Sequence, residues 1–280
     1  MSESAVPRSY LFVPGHRGDR FAKALDSGAD AVVLDLEDAV APEDKAAARD
    51  AVAGCVAAAD AATRARLVVR INDEATAWFG ADLAMLAACA APAVMLPKAE
   101  AVATVQRVRA VCPGIELLAL VESARGILNA PALALAEGVA RLVFGTLDFA
   151  LDLDLADDPG AGPLGLDAAA SRLAWASRAA DLPPPVAGVT PEIGDEARLR
   201  ADFARARAHG FGAKLCIHPA QVAPIHDMLL PSAADLAWAR RVVAAAGSGA
   251  AVRIDGRMVD RPVLLRARRL LARAAGRPSG

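Results

Sequence analysis

Ala31-Val32-Val33-Leu34-Asp35-Leu36-Glu37-Asp38 is the stretch that decides the fold. Its first four residues are apolar with no polar alternation, so both faces of the strand they form must be covered. Acids follow where the strand ends. Strands of this kind belong to parallel sheets flanked by helices. Outward from it, one unit recurs: a short apolar run, a turn, and an alanine-rich amphipathic stretch. Eight strands are predicted, at Ser9–Val13, Ala31–Leu36, Arg66–Arg70, Ala93–Leu96, Glu116–Val121, Arg141–Phe144, Pro185–Gly188 and Gly212–Ile217. Helices are predicted at about Asp19–Ser27, Glu43–Ala59, Trp78–Ala88, Glu100–Ala110, Gly126–Ala136, Leu166–Ala180, Glu196–His209 and Pro219–Met228. Eight such units close into an α/β fold, a (β/α)8 TIM barrel, for which 280 residues suffice. The competing open doubly wound sheet usually carries GxGxxG after its first strand, and this chain has none.

Residues 1–230 are therefore assigned to a catalytic barrel and residues 231–280 to a helical extension. Within the first, Asp152–Gly165 is rich in Asp, Gly and Pro and reads as a long functional loop. The extension is predicted as a helix from Ser232 to about Ala246, a glycine break at Gly247-Ser248-Gly249, a short segment Val252–Gly256 and a basic helix Arg261–Ala275. Elements beyond the barrel's own need commonly cover one of its ends or dock on a neighbouring subunit.

An apolar fraction of 55% with 23% charged residues describes a globular chain with a large core. A net charge of -2 lacks the overall basic balance expected of a nucleic-acid binder. The longest uncharged run, Leu83–Pro97, is too short to span a membrane and contains Pro92. Cys55, Cys89, Cys112 and Cys216 have no CxxC spacing and are expected to be buried small apolar residues in a reducing compartment. The opening Met1-Ser2-Glu3-Ser4 lacks the order of a secretory signal, so the cytoplasm is the expected location.

In barrels the reactive groups sit where strands exit. Here those exits carry Asp35, Glu37 and Asp38, then Arg70 and Asn72, then Lys98, Glu122 and Asp148, with Lys214 and His218 on the eighth unit. Glu122 ends the apolar run Leu117-Leu118-Ala119-Leu120-Val121, where a carboxylate is costly unless a cation meets it. Two readings stand. Glu122 and Asp148 can hold Mg²⁺ with water and substrate oxygens completing the shell, or Glu122 can pair with Arg70 or Lys98 as a structural bridge. Arg70 has the planar fork that suits a substrate carboxylate, and equally suits Glu37 or Glu122. Of the acidic trio, Glu37 is expected to face inward, while Asp35 is open. The turn Pro14-Gly15-His16-Arg17-Gly18-Asp19-Arg20, with Lys23, reads either as a diphosphate cradle or as a solvated helix start. No zinc spacing, GxSxG or Cys–His pattern is present. His218 sits close enough to a strand exit to be a site candidate; His209 and His226 read as ordinary helix residues.

These exits together resemble the citrate lyase β-subunit-like branch of the HpcH/HpaI aldolases, relatives of malyl-CoA and citramalyl-CoA lyases. Matching segments run in order over nearly the whole chain: Arg8–Gly15, Leu34–Pro42 with Lys45 and Arg49, Val69–Asn72, Leu96–Lys98, Val121–Gly126, Phe144–Phe149, Gly212–Pro219 and Gly256–Pro262. The resemblance implies a barrel, assembled as a homotrimer or hexamer, that cleaves a 3-hydroxyacyl-CoA to an acyl-CoA and a 2-oxoacid. It implies Mg²⁺ on Glu122 and Asp148, Arg70 on the oxoacid, and Asp260 reaching into a neighbour's site. It further implies substrate contacts from Pro14, Gly15, Gly145 and Thr146, and the CoA moiety over the mouth near Arg17, Arg20 and Lys23. Proton transfer then falls to a water backed by Glu37, or to Asp260. A carrier-dependent lyase subunit, a malyl-CoA thioesterase and a synthase are the other activities it allows. The chain departs from the pattern at His16, where Asn is frequent, and at Asp154, where Gly is frequent.

Overall fold

The computed structural model describes residues 6–156, 164–246, 252–254 and 257–275. They fall into two compact units, Met1–Ile225 and His226–Gly280. Residues 157–163 of the expected long loop, the glycine break at 247–249 and Gly256 lie outside the described residues.

In chain order the first unit runs β1 (Ser9–Pro14), α1 (Phe21–Leu25), β2 (Ala31–Asp35), α2 (Lys45–Ala58), α3 (Ala61–Arg64), β3 (Leu67–Arg70), α4 (Phe79–Ala88), β4 (Ala93–Leu96) and α5 (Val102–Val111). It continues with β5 (Glu116–Val121), α6 (Ala124–Leu135), β6 (Val139–Phe144), α7 (Thr146–Asp152), α8 (Leu164–Ala179), β7 (Val186–Ala187), α9 (Glu196–His209) and β8 (Ala213–Cys216). Helix α10 (Val222–Leu229) crosses the boundary between the units. The eight strands pair in sequence, all parallel, and β1 pairs with β8 to close the barrel. Burial on both faces follows from this closure. Val33, Val68, Met95, Leu120 and Leu215 fill the interior, whereas Val32 and Leu34, one residue out of phase, are equally buried on the opposite face of β2.

Most differences from the sequence reading have local causes. Strand β7 shrinks to two residues because Pro183-Pro184-Pro185 supply no N–H to a ladder. Helices α3 and α7 were not predicted, being four and seven residues long, too short for a helical period to register. The first helix opens as a single 3-10 turn over Gly18–Arg20 and is α-helical only over Phe21–Leu25. Cys112 and Cys216 are buried as expected, but Cys55 and Cys89 are half-buried. Helix α6 tolerates an internal Pro131: the ring removes a donor for the Ile127 carbonyl, and Arg172 Nε of α8 donates to that oxygen instead, at 2.8 Å.

The second unit comprises α11 (Ala233–Ala246), the antiparallel pair β9 (Val252–Ile254) and β10 (Arg257–Val259), and α12 (Arg261–Ala275). Where only a short segment was expected there are two antiparallel strands. Ala239, Val242, Val259 and Ala267 form the unit's small core. Among the described residues no helix is long and apolar enough to cross a membrane.

Polar groups inside the barrel are confined to its ends. Arg141 of β6 fills the end opposite the strand exits, donating from Nε to the Pro184 carbonyl (2.7 Å) and from Nη1 to the Pro7 carbonyl (2.6 Å) and the Tyr10 hydroxyl (3.2 Å). Arg141→Met leaves one buried hydroxyl and two part-buried carbonyls without their donor and is predicted to cost roughly 1–3 kcal/mol in urea unfolding. The folded fraction is predicted to keep wild-type turnover, since the barrel end it disturbs is remote from the strand exits.

Candidate active site

The exits of β1 to β8 surround a cavity of about 390 Å³ lined by Phe12, Pro14, Asp35, Asp38, Ala39, Arg70, Leu120, Glu122, Gly145, Thr146, Leu147, Asp148, Val189, Leu215 and Ile217. Five acids gather at or just behind its wall, Asp35, Glu37, Asp38, Glu122 and Asp148, against the guanidinium of Arg70 and the ammonium of Lys98.

Arg70 ends β3 directly beside Asp35, its register partner on β2. Its Nε and Nη2 each donate to one oxygen of Asp35 at 2.7 Å. Its Nη1 lies 2.8 Å from Glu37 Oε2 and 3.3 Å from Asp38 Oδ2. The ring of Phe12 lies under the guanidinium, 4.8 Å from its carbon. Asp35, left open by the sequence, is thus the principal partner, and it also accepts the N–H groups of Glu37 (2.9 Å) and Ala39 (3.3 Å). Burial alone would ease the proton off Arg70, but the Asp35 hydrogen bonds and the charges of Asp35, Glu37 and Asp38 hold it firmly cationic. One edge of the fork is therefore held by a neighbouring acid, and register pairing makes that acid Asp35. What remains for a ligand is the outer edge of the guanidinium.

Glu37 is inward and buried but does not line the cavity; it stands behind Arg70. Its Oε2 receives no aligned hydrogen bond despite the short approach of Nη1. Desolvation pushes this carboxyl up to about 8; Arg70 opposes the shift, and Asp38, Glu122 and Asp35 add to it. A cation already shared by two other carboxylates cannot fully compensate a third.

Glu122 leaves β5 with 4% of its surface exposed, and its Oε1 accepts the Lys98 backbone N–H at 2.8 Å. Lys98 reaches that position with φ of +44°, a left-handed conformation unusual for a side-chain-bearing residue. Its ammonium does not pair with Glu122 but stands 3.7 Å from both Glu37 Oε1 and Asp73 Oδ2. No side-chain bridge from Glu122 to Arg70 is formed either. Burial pushes Glu122 up to about 7, with the Lys98 N–H countering and Asp148 reinforcing. Asp148, in the first turn of α7, faces the same cavity from the next βα unit. At 145 a Cβ would overlap Glu122 Oε2, so only glycine leaves that carboxylate room. Two hard oxygen donors at an otherwise under-compensated site could hold a divalent cation.

Other expected residues separate into those that reach the cavity and those that do not. Pro14 and Thr146 line it. Gly15 does not: it is buried against β2, donating its N–H to the Asp35 carbonyl at 2.7 Å, where a Cβ would collide with that carbonyl. Arg17 has its own fork taken by Asp19, at 2.8 and 2.7 Å, while Arg20 and Lys23 are exposed. His218 is turned into a cap, Nδ1 accepting the Ala220 N–H at 3.2 Å, and only its neighbour Ile217 lines the cavity. Lys214 points away from the interior and donates to the Gly188 carbonyl at 2.6 Å; burial lowers its pKa to about 8. Asp154 adopts φ of +49°, the conformation for which glycine is favoured. In the second unit, exposed Asp260 accepts the Val263 N–H at 3.1 Å at the start of α12.

Behind Glu37 lies a buried network that the sequence reading did not assemble. Lys45 Nζ donates to the carbonyls of Leu36 (2.7 Å) and Glu37 (2.7 Å) and to Asn72 Oδ1 (2.6 Å). Asp82 accepts from Asn72 Nδ2 (2.7 Å) and N (2.9 Å) and from Arg49 Nε (2.9 Å). The signal was present: Lys45 falls on the same helical face as Ala48, Val52 and Val56, and Asp82 on that of Phe79, Leu83 and Leu86, so both charges had to be buried.

Comparison with known proteins then places the chain among others. Residues 8–219 match the family model described as HpcH/HpaI aldolase/citrate lyase. The chain is 36% identical over 281 residues to a (3S)-malyl-CoA thioesterase of Cereibacter sphaeroides, covering 98% of this chain and 97% of that protein. It is 38% identical over 293 residues to a citrate lyase subunit beta-like protein of Deinococcus radiodurans, covering 97% and 98%. In structure it is similar to CitE from Mycobacterium tuberculosis, solved in complex with magnesium, acetoacetate and coenzyme A, with TM-score 0.87, 37% identity and coverage of 97% and 99%.

The position of Glu37 yields a titration test in the metal-free protein. Carboxyl carbon NMR, taking wild type minus Glu37→Gln, is predicted to show one group titrating near pH 8 rather than 4.5. Because the folded-state value is raised, the stability tied to the protonated form is complete below pH 4.5 and lost as pH rises through about 8. Glu37→Gln is therefore predicted to match wild type in urea at pH 5 and to exceed it at pH 9.

Proposed function

The chain belongs to the HpcH/HpaI aldolase/citrate lyase family, and on that premise we propose that it is a magnesium-dependent lyase acting on a 3-hydroxyacyl-CoA. The bond between the carbinol carbon and the thioester α-carbon breaks, giving an acyl-CoA and a 2-oxoacid. The observation that carries this reading is the convergence of Glu122 and Asp148, from adjacent βα units, on the cavity that Arg70 also lines.

The donor set suits magnesium: two carboxylates with no nitrogen or sulfur ligand, and space beside Glu122 that the missing Cβ of Gly145 leaves open. When bound there, the metal supplies Lewis acidity for the 3-hydroxyl and for the ketone oxygen it becomes. Arg70 orients the substrate carboxylate through the outer edge of its guanidinium, and the fork to Asp35 keeps that edge fixed. Glu37 acts through Arg70 as a positioning residue. Phe12, Leu120, Val189 and Leu215 form apolar cavity wall and exclude water from the breaking bond. The acids that surround Arg70 and the two that would hold the metal are committed, so the hydroxyl proton goes to Asp260 of a neighbouring copy in a homotrimer or hexamer, the electron pair of the broken bond passes into the thioester enolate, and Asp260 returns the proton to its α-carbon to give the acyl-CoA. Arg20 and Lys23, with Arg17 once released from Asp19, supply cations for the CoA diphosphate.

Hydrolysis is the second reading, favoured by the likeness to a (3S)-malyl-CoA thioesterase. There Asp260 would activate water against the thioester, and the hydroxyacid would leave intact. Products separate the two.

Malyl-CoA, citramalyl-CoA and citryl-CoA, each incubated with the protein and Mg²⁺, are predicted to yield a trappable 2-oxoacid from at least one thioester. EDTA and Glu122→Ala should each abolish it. Free CoA with malate, and no glyoxylate, would establish the thioesterase instead. Activity only after addition of an acyl-carrier protein would mark a subunit of a larger lyase. Gly145→Ala, which crowds Glu122, is predicted to weaken Mn²⁺ binding and lower turnover by about tenfold or more.

A further inference from the structure

Helix α7 has seven residues, Thr146–Asp152, and carries Asp148 in its first turn. So short a helix has little stability of its own, and its direction is set by its anchors. One is Phe149, buried and edge-on to Phe144 with centroids 5.4 Å apart. Another is Asp152, its last residue. A carboxylate at a helix C-terminus opposes that helix's own dipole, so nothing within α7 accounts for it. Its Oδ2 instead accepts the backbone N–H of Ala124, the first residue of α6, at 2.7 Å. There an anion meets the favourable end of a dipole.

Ser123, the N-cap of α6, satisfies only the Gly126 N–H, at 3.2 Å, and leaves the Ala124 N–H to a partner from outside the helix. The place of the bond in the chain is more telling. Ala124 lies two residues beyond Glu122, and Asp152 lies one helical turn beyond Asp148 on the same face of α7. Together with the bond from the Gly145 N–H to the Val121 carbonyl, at 3.0 Å, it closes a small ring with Glu122 on the arm 121–124 and Asp148 on the arm 145–152.

We propose that Asp152 is a positioning residue, a clamp whose hydrogen bond from Ala124 sets the separation of Glu122 and Asp148 and so the affinity for a divalent cation. This rests on the reading of those two carboxylates as cation ligands. The clamp is exposed, so it adds little to global stability. Its effect is on geometry.

The test is Mn²⁺ binding by the full-length protein, read by isothermal titration with melting temperature measured alongside. Asp152→Ala removes the acceptor and Asp152→Asn keeps one without the charge. Ala124→Pro removes the donor at a position where proline is well tolerated, following a Ser123 already extended at φ −142° and ψ 161°, as a residue before proline prefers. Asp152→Ala and Ala124→Pro are each expected to weaken binding by about tenfold. The double variant should be no weaker than either single one. Asp152→Asn should restore binding close to that of wild type, and melting temperatures should move by only a few degrees. Wild-type affinity in Asp152→Ala or Ala124→Pro would overturn the clamp, as would an Asp152→Asn as weak as Asp152→Ala, which would make the effect one of charge. Glu122→Ala is the control: if it binds Mn²⁺ as wild type does, or if wild type binds none, the cation reading itself fails and the clamp with it.

Discussion

Arg70 is one cation shared among three carboxylates at the exit of β2, and the mouth of the barrel is organised around that shortage. Asp35 takes its fork, and Glu37 and Asp38 crowd the remaining nitrogen. A buried guanidinium so surrounded cannot rotate away, because each departure would strand a desolvated acid. Yet it does not neutralise the site. Among the described residues Glu122 and Asp148 form no salt bridge to an ammonium or guanidinium, and Glu122, like Glu37, is driven toward protonation by its burial. An acidic cluster held at this cost by a rigid scaffold is suited to a divalent cation, which supplies the missing charge without adding bulk.

Rigidity comes from behind the loop as much as from within it. Lys45 spends its three donors on the Leu36 and Glu37 carbonyls and on Asn72, and Asp82 ties Asn72 to Arg49. Through this network α2 and α4 hold the exits of β2 and β3 in register. Such a network is worthwhile only if every member is satisfied, since a partly paired buried charge destabilises more than an apolar core would. The opposite end of the barrel shows the same rule in a structural role, where Arg141 reaches two carbonyls and a hydroxyl.

The strain at Lys98 belongs to the same scheme. A left-handed residue at the exit of β4 aims a main-chain N–H at Glu122, so the carboxylate is oriented without surrendering its charge to a side-chain bridge. Glycine at 145 is the complementary device, yielding space where Lys98 supplies a contact. Together they leave one oxygen of Glu122 held and the other unobstructed. Preorganisation of this kind lets a site bind without reorganising at the moment of reaction.

Much of this was legible in the residues. Strands such as Ala31-Val32-Val33-Leu34 announced burial on both faces, the eight-fold repeat announced closure, and acids placed directly after apolar runs announced the mouth. Helix α9 was delimited to the residue because Asp195 caps its start and Gly210, at φ +104°, ends it. What the sequence could not decide was partnership. Whether Arg70 faces Asp35, Glu37 or Glu122 depends on the register of β2 against β3, and a one-residue slip would send each side chain to the other face. The short α7 and its bond to α6 were beyond reach for a related reason: seven residues carry no readable period, and their direction is fixed by a backbone N–H 28 residues away. Composition and periodicity determine which residues must be buried and at which end of the barrel the charged ones gather. Only the folded chain decides which charge meets which, because hydrogen bonds and ion pairs act over a few ångströms that sequence distance does not record.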